Sequence, residues 1–138
     1  PAAFGRMDPG PARRRTWVGR ASLSMAGLFA IMAWVNNAQA TVALMIAMGL
    51  LSGYSILQYA DVRSSYPNEQ TGRALSLYTM AMFLGVALMQ SLTGAVAAWA
   101  TSAGLEPYRA VLLCIAAWLA LASLAFRLLP ASALLQQR

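Results

Sequence analysis

The sequence predicts an all-α integral membrane protein, a bundle of four transmembrane helices. Of its 138 residues, 59% are hydrophobic and only 10% are charged, whereas about a quarter of the residues of soluble domains are charged. The charges are also clustered, because residues 21–60 and 74–105 contain none. Uncharged, apolar runs of about 18 residues or more are typical of membrane-spanning helices.

The chain divides into a basic segment and a membrane portion. Residues 1–15 are rich in Pro, Gly and Arg, which predicts a cytoplasmic loop or tail. Thr16 is a plausible N-cap for the first helix. Residues 16–138 form the membrane portion, with predicted spans over about residues 17–36, 41–60, 74–100 and 108–129.

Polar segments set the limits of these spans. Asn36, Asn37 and Gln39 form a short polar turn, so the first two spans are expected to form an antiparallel hairpin. The polar segment 61–73 separates the second span from the third, and Pro67 suits the first turn of a new helix. Pro130 ends the fourth span.

The arginines predict the orientation of the bundle. With four spans, both termini and the segment 61–73 lie on the same side, which holds nine of the ten Arg residues, while the other side holds Arg109 alone. Cytoplasmic segments of membrane proteins are enriched in Lys and Arg. We therefore expect both termini to be cytoplasmic, in a bacterial inner (plasma) membrane.

The composition argues against enzymatic, metal and nucleic-acid functions. There is no His and one Cys, Cys114, so the usual zinc ligands and a Ser-His-Asp or Cys-His pair are missing. No G-x-x-x-x-G-K-[ST] phosphate loop is present. The net charge of +6 comes from Arg at the ends of hydrophobic runs. We expect no catalytic residue, no metal, no cofactor and no nucleic-acid partner.

Polar residues within the spans are the candidate substrate contacts, because polar groups are costly in a bilayer. Gln90 lies near the middle of the third span. Tyr54 and Gln58 are four residues apart and share one face of the second span. Each also has a simpler interpretation: Gln90 can form a helix–helix hydrogen bond, and Gln58 can lie at the membrane interface.

Four glycines are predicted to be helix-packing positions, since small residues let helices approach closely in lipid. They are Gly49, Gly53, Gly85 and Gly94. No span has a central Asp, Glu, Lys or Arg, so the sequence predicts neither a coupling ion nor a substrate.

One stretch resembles the major facilitator superfamily of transporters. In that family, a cytoplasmic loop of the form Pro-x-Glu-x-x-Gly-Arg-Ala leads into the penultimate helix, which then carries two glycines. The matching residues here are Pro67, Glu69, Gly72, Arg73, Ala74, Gly85 and Gly94. The resemblance implies that the four spans are helices nine to twelve of a twelve-helix fold.

This resemblance implies solute transport by alternating access, with the remaining helices of the same transporter and the lipid bilayer as partners. It also implies a cavity role for Gln90, Tyr54 and Gln58, because helices ten and eleven line the cavity in that family. Four charged residues become candidates for a cytoplasmic gating loop: Asp61, Arg63, Glu69 and Arg73. Alternatively, these four only form a solvated loop that sets the topology.

Two other functions remain open. One is a complete four-helix protein that works as a dimeric exporter, although a proton-driven exporter of that size needs a carboxylate within the membrane. The other is a non-transporting scaffold subunit. Since the sequence begins with Pro1 rather than Met, we expect a portion of a longer transporter.

Overall fold

The computed structural model describes residues 11–128, and these residues form four helices and no strand. We name the helices α1 (Pro11–Met32), α2 (Ala38–Ser65), α3 (Asn68–Ser102) and α4 (Pro107–Leu128). Within α2, a 3-10 turn over Ser52–Tyr54 joins two α-helical parts without a break.

The helices α1 and α2 begin in different ways. Arg13, Arg14 and Arg15 already belong to α1, so Thr16 lies inside the helix and is not its N-cap. Arg is a strong helix former, and Pro is well tolerated in a first turn. At α2, the side chain of Asn37 accepts hydrogen bonds from the backbone N–H of Gln39 and Ala40, at 2.9 and 3.3 Å.

The joint between α2 and α3 is much shorter than expected. Only Tyr66 and Pro67 separate the two helices. Tyr66 is extended (φ −128°, ψ 150°), as residues before a proline usually are. The carbonyl of Pro67 accepts hydrogen bonds from the backbone N–H of Gln70 and Thr71, at 2.9 and 3.0 Å. Pro67 therefore lies at the N-cap, just before the first turn.

Most of segment 61–73 is consequently helical. Asp61 and Arg63 lie in the last turns of α2, and Glu69 and Arg73 lie in the first turns of α3. Arg63, Glu69 and Arg73 are good helix formers. Arg63 in the last turn of α2 and Glu69 in the first turn of α3 also suit the helix dipole, so the helices continue beyond the apolar runs. The expectation of a charged loop is corrected to two charged helix ends.

The C-terminal end of α3 requires a glycine. Gly104 has a φ of +69°, a conformation that costs other residues about 1–2 kcal/mol. Its N–H donates to the carbonyl of Thr101 (3.2 Å), and the N–H of Leu105 donates to the carbonyl of Ala100 (2.8 Å). This pair of bonds is a Schellman motif, which satisfies the last carbonyls of a helix.

Neighbouring helices of the bundle are antiparallel. The most extensive interface joins α1 and α4. In it, the Ser123 hydroxyl donates to the carbonyl of Gly19 (2.9 Å), while 14 residues further along α1 the carbonyl of Ala33 accepts from Arg109 Nε (3.1 Å). The N-terminus of α1, the α2–α3 joint and the C-terminus of α4 therefore lie together. We call this the basic end, because it carries Arg13, Arg14, Arg63, Arg73 and Arg127.

At the opposite end of the bundle, Arg109 of α4 contacts the end of α1. Both carboxylate oxygens of Glu106 accept hydrogen bonds from the first turn of α4, including the N–H of Arg109. The Arg109 guanidinium lies 4.5 Å from the ring centre of Trp34, a cation–π contact. A small apolar core lies nearby, formed by Met32, Ala33 and Leu112.

The outer faces of the bundle are strongly apolar. Large side chains such as Leu50, Met80 and Phe83 are 72%, 68% and 66% exposed, which is unfavourable in water but natural in lipid. Within residues 11–128, α2, α3 and α4 are long and apolar enough to cross a membrane. This confirms the predicted helical fold and shows that three of its helices could span a membrane.

The first helix differs from the other three. It is not among the candidate spans, because its arginines and serines lower its hydropathy. It is nevertheless well buried, with Val18, Met25 and Ala26 each less than 9% exposed. Its predicted passage through the membrane stays a prediction.

Candidate solute-binding cavity

A cavity of about 260 Å³ lies where all four helices meet, in the half of the bundle nearer the basic end. Its wall combines apolar side chains, such as Val18 and Phe126, with polar side chains from every helix. The polar residues are Ser22 of α1, Gln58 and Asp61 of α2, Tyr78 of α3 and Ser123 of α4.

Small residues create this space between α1 and α4. Gly19 and Ser22 lie on one side, and Ala122 and Ser123 lie on the other. Ser123 is only 3% exposed and holds the two helices together through the carbonyl of Gly19. A β-carbon at Gly19 would lie 3.5 Å from Arg127 Nε. The Arg127 side chain therefore lies across Gly19, above this part of the wall.

Gln58 and Tyr78 form the polar contact between α2 and α3. The Tyr78 hydroxyl donates to Gln58 Oε1 at 2.7 Å, and the ring of Tyr59 packs edge-on against Tyr78, with ring centres 4.9 Å apart. The carbonyl oxygen of the Gln58 amide is thus occupied. Its NH₂ group donates no hydrogen bond within residues 11–128, so it can donate to a bound solute.

Asp61 supplies a carboxylate to the cavity, close to a buried arginine. Arg14 is 6% exposed and donates through Nη1 to the carbonyl of Ala60 (2.8 Å) and the hydroxyl of Ser64 (2.9 Å). These two acceptors lie in the last turns of α2, where a cation is favoured by the helix dipole. Arg14 therefore fastens α1 to α2 beside the cavity.

The three predicted cavity residues do not lie together in the structure. Gln58 lines the cavity. Tyr54 is half-buried within the 3-10 turn and is not part of the cavity wall. Gln90 is exposed on α3, and its side chain makes no hydrogen bond within residues 11–128. A substrate role for Tyr54 and Gln90 stays a prediction.

The four predicted gating residues do not lie together either. Asp61 lines the cavity, whereas Arg63, Glu69 and Arg73 are exposed at the basic end. Glu69 and Arg73 are four residues apart on α3, a spacing at which they can pair, but the part of the chain that the structure describes has no ion pair between them.

Three of the four predicted packing glycines do not pack closely within the described chain. Gly49, Gly85 and Gly94 are exposed, and a β-carbon at any of them would meet nothing within 4 Å. Gly53 is half-buried in the 3-10 turn. A packing role for these glycines would require a partner helix from outside residues 11–128, and it stays a prediction.

Sequence reasoning missed three residues of this region: Arg14, Tyr78 and Ser123. Arg14 lies in the Arg-rich segment 1–15, but whether its side chain turns inward depends on the rotational phase of α1. Tyr78 is 20 residues from Gln58 in the sequence, so only the pairing of α2 with α3 brings them together. A serine near the end of an apolar helix gives no specific signal.

Comparison with known proteins found no match: no family model, no curated protein and no solved structure matches this chain. Within residues 11–128, no group of three or more His, Cys, Asp or Glu side chains could hold a metal ion. Functional conclusions therefore depend on the residues of the chain itself.

Proposed function

We propose that this chain is the C-terminal portion of a membrane-embedded secondary transporter of the major facilitator type, which moves a small solute by alternating access. The observation that carries this proposal is the cavity lined by all four helices, in which each helix contributes a polar side chain to a mainly apolar wall. The motif residues from Pro67 to Gly94 support the family assignment, since they follow the loop-and-helix pattern of that family.

The polar groups of the cavity suit a small polar solute. Polar side chains are costly within a membrane bundle, and side chains from all four helices converge here: Ser22, Gln58, Asp61, Tyr78 and Ser123. Gln58 Nε2 donates no hydrogen bond within residues 11–128, so it is available as a donor to a solute. A volume of about 260 Å³ is slightly below that of pockets for drug-sized ligands, which is about 300–1,000 Å³.

The exposed face of α3 supports a larger assembly. Gln90 lies near the middle of this helix and makes no side-chain hydrogen bond within residues 11–128. A primary amide that faces lipid without a hydrogen-bond partner is unfavourable by about 2–7 kcal/mol. Further helices of the same transporter would supply that partner.

A ligand screen tests the solute site. The purified chain in detergent micelles is heated with a panel of sugars, amines and organic acids, and a binding solute raises the melting temperature. We expect the Gln58→Ala variant to lose that shift. The Gln90→Ala variant removes the same amide outside the cavity and is expected to keep it. If both variants keep the shift, the cavity does not bind the solute.

The upstream reading frame tests the family assignment. Roughly eight further hydrophobic spans continuous with Pro1 would complete the twelve-helix arrangement, whereas a start site directly before Pro1 would contradict it. In vesicles, the purified 138-residue chain is expected not to transport, because the rest of the pathway is missing. Uptake by this chain alone would instead favour the dimeric exporter, and a dry cavity would favour the scaffold.

A further inference from the structure

A second hollow lies on the outer surface at the α2–α3 joint. This groove has a volume of about 610 Å³ and is more open than the cavity. Its wall comes from Val62 and Tyr66 and from one face of α3. The groove and the cavity share Val62 and Tyr78, so a single layer of side chains separates them.

The groove changes from polar to apolar along α3. Gln70 and Arg73 lie in its first turns, near the joint, and Leu77 and Ala81 follow one and two turns later. The spacing of three and four residues keeps these side chains on one helix face. At 1.5 Å per residue, the distance from Gln70 to Ala81 is about 16 Å. The polar part of the groove lies at the basic end, and the apolar part extends away from that end along α3.

The polar part of the groove favours an anion. Arg73 is exposed, and the described chain offers it no ion pair. Glu69 is the nearest carboxylate on α3, one turn before Arg73, but it does not line the groove, and neither does Asp61. Arg63, at the end of α2, is exposed but does not line the groove. A guanidinium group matches the oxygens of a phosphate with two parallel hydrogen bonds.

We propose that this groove binds an anionic phospholipid. The lipid phosphate lies on the Arg73 guanidinium, with the Gln70 amide and the Tyr66 hydroxyl as further donors, and one acyl chain follows Leu77 and Ala81. A soluble phosphate would use only the polar part, whereas a phospholipid fills the apolar part too. The proposal depends on α2 and α3 lying in the membrane but not on transport. Because Tyr78 lines both spaces, a bound acyl chain would also contact the cavity wall.

Native mass spectrometry of the purified full chain tests this site. The chain is presented with equal amounts of phosphatidylglycerol and phosphatidylcholine that carry the same acyl chains. We expect Arg73→Gln to lower the bound ratio of phosphatidylglycerol to phosphatidylcholine by about fivefold, the usual effect of one basic residue at a membrane surface. The matched control is Arg63→Gln, which removes the same charge from the same end outside the groove, and it should lower the ratio clearly less than Arg73→Gln does.

Two other variants probe the groove independently of Arg73. Ala81→Trp fills the apolar part and should reduce binding of both lipids while leaving their ratio unchanged. Gln70→Ala should lower the ratio more weakly than Arg73→Gln, and it serves as the test if circular dichroism shows that Arg73→Gln does not fold. If Ala81→Trp and Gln70→Ala both fold and bind the two lipids as the unchanged chain does, the proposal is overturned.

Two further outcomes would also overturn it. Equal losses in Arg73→Gln and Arg63→Gln would mean that the whole basic end attracts anionic lipid without a specific site. Displacement of the bound lipid by excess glycerol phosphate would mean that the groove takes a soluble phosphate. We expect glycerol phosphate to leave the lipid bound.

Discussion

Removal of the Arg14 side chain's charge is the sharpest test of how the basic end is held together. Arg14 is 6% exposed and donates to the carbonyl of Ala60 and the hydroxyl of Ser64. The substitution Arg14→Gln shortens the side chain and removes the cation, so both contacts between α1 and α2 are lost. Arg13, which precedes it in the same helix, is exposed.

The expected magnitude follows from these contacts. A hydrogen bond to a charged group contributes about 1.5–3 kcal/mol in soluble proteins, whereas polar contacts between membrane helices average about 0.6 kcal/mol. Arg14 lies at the end of the bundle, between these environments. For two such bonds together with the packed aliphatic stem, we expect Arg14→Gln to lower the free energy of unfolding by about 1.5–3 kcal/mol.

The assay is reversible unfolding of the chain in mixed micelles, with sodium dodecyl sulfate as denaturant and helical circular dichroism as readout. Arg13→Gln is the matched control, because it removes the same charge from the neighbouring residue, and we expect a change within about 0.5 kcal/mol, as for most surface substitutions. Equal losses in both variants would refute the reasoning, since they would show that only the net charge of the basic end matters.

Three further substitutions test other parts of the bundle in the same assay. Gly104→Ala should cost about 1–2 kcal/mol because of its positive φ, whereas Gly72→Ala, in a helix with open space around it, should stabilise by about 0.5–1 kcal/mol; shifts of the same sign would contradict the helix-end geometry. Ser123→Ala, which removes the bond to α1, should cost about 0.6–1.5 kcal/mol, and a loss no larger than that of the exposed control Ser91→Ala would show that this bond does not hold α1 to α4. Arg109→Lys keeps the charge but loses both the planar contact with Trp34 and the Nε hydrogen bond to the carbonyl of Ala33, so at least about 0.5–1 kcal/mol should be lost; an unchanged stability would mean that neither contact contributes.

The positions of the helices could be predicted from the sequence because long apolar runs and the polar breaks between them are local signals. The error at the α2–α3 joint has a physical cause. Charged residues such as Glu69 and Arg73 were interpreted as a loop because they lie outside the apolar runs, yet Glu and Arg are strong helix formers. Only Pro67 and the residue before it prevent helical geometry there.

The cavity was predictable only in part. Gln58 could be found because an amide within an apolar span is unusual. Its partner Tyr78 could not, because the pairing depends on the register between two long helices. Likewise, Arg14 turns inward and Arg13 outward because of the rotation of α1, and a run of consecutive arginines does not indicate that rotation.

Water access to the cavity is the central claim, and cysteine labelling tests it most directly. In a Cys114→Ser background, the variant Gln58→Cys is reconstituted into vesicles and treated with a membrane-impermeant maleimide. Arg63→Cys at the basic end reports on orientation, and Leu84→Cys, on the 61% exposed apolar side chain of α3, reports on lipid. We predict that Gln58→Cys is labelled as Arg63→Cys is, while Leu84→Cys is not. If Gln58→Cys stays as unreactive as Leu84→Cys, the bundle is dry and the proposed solute cavity does not exist.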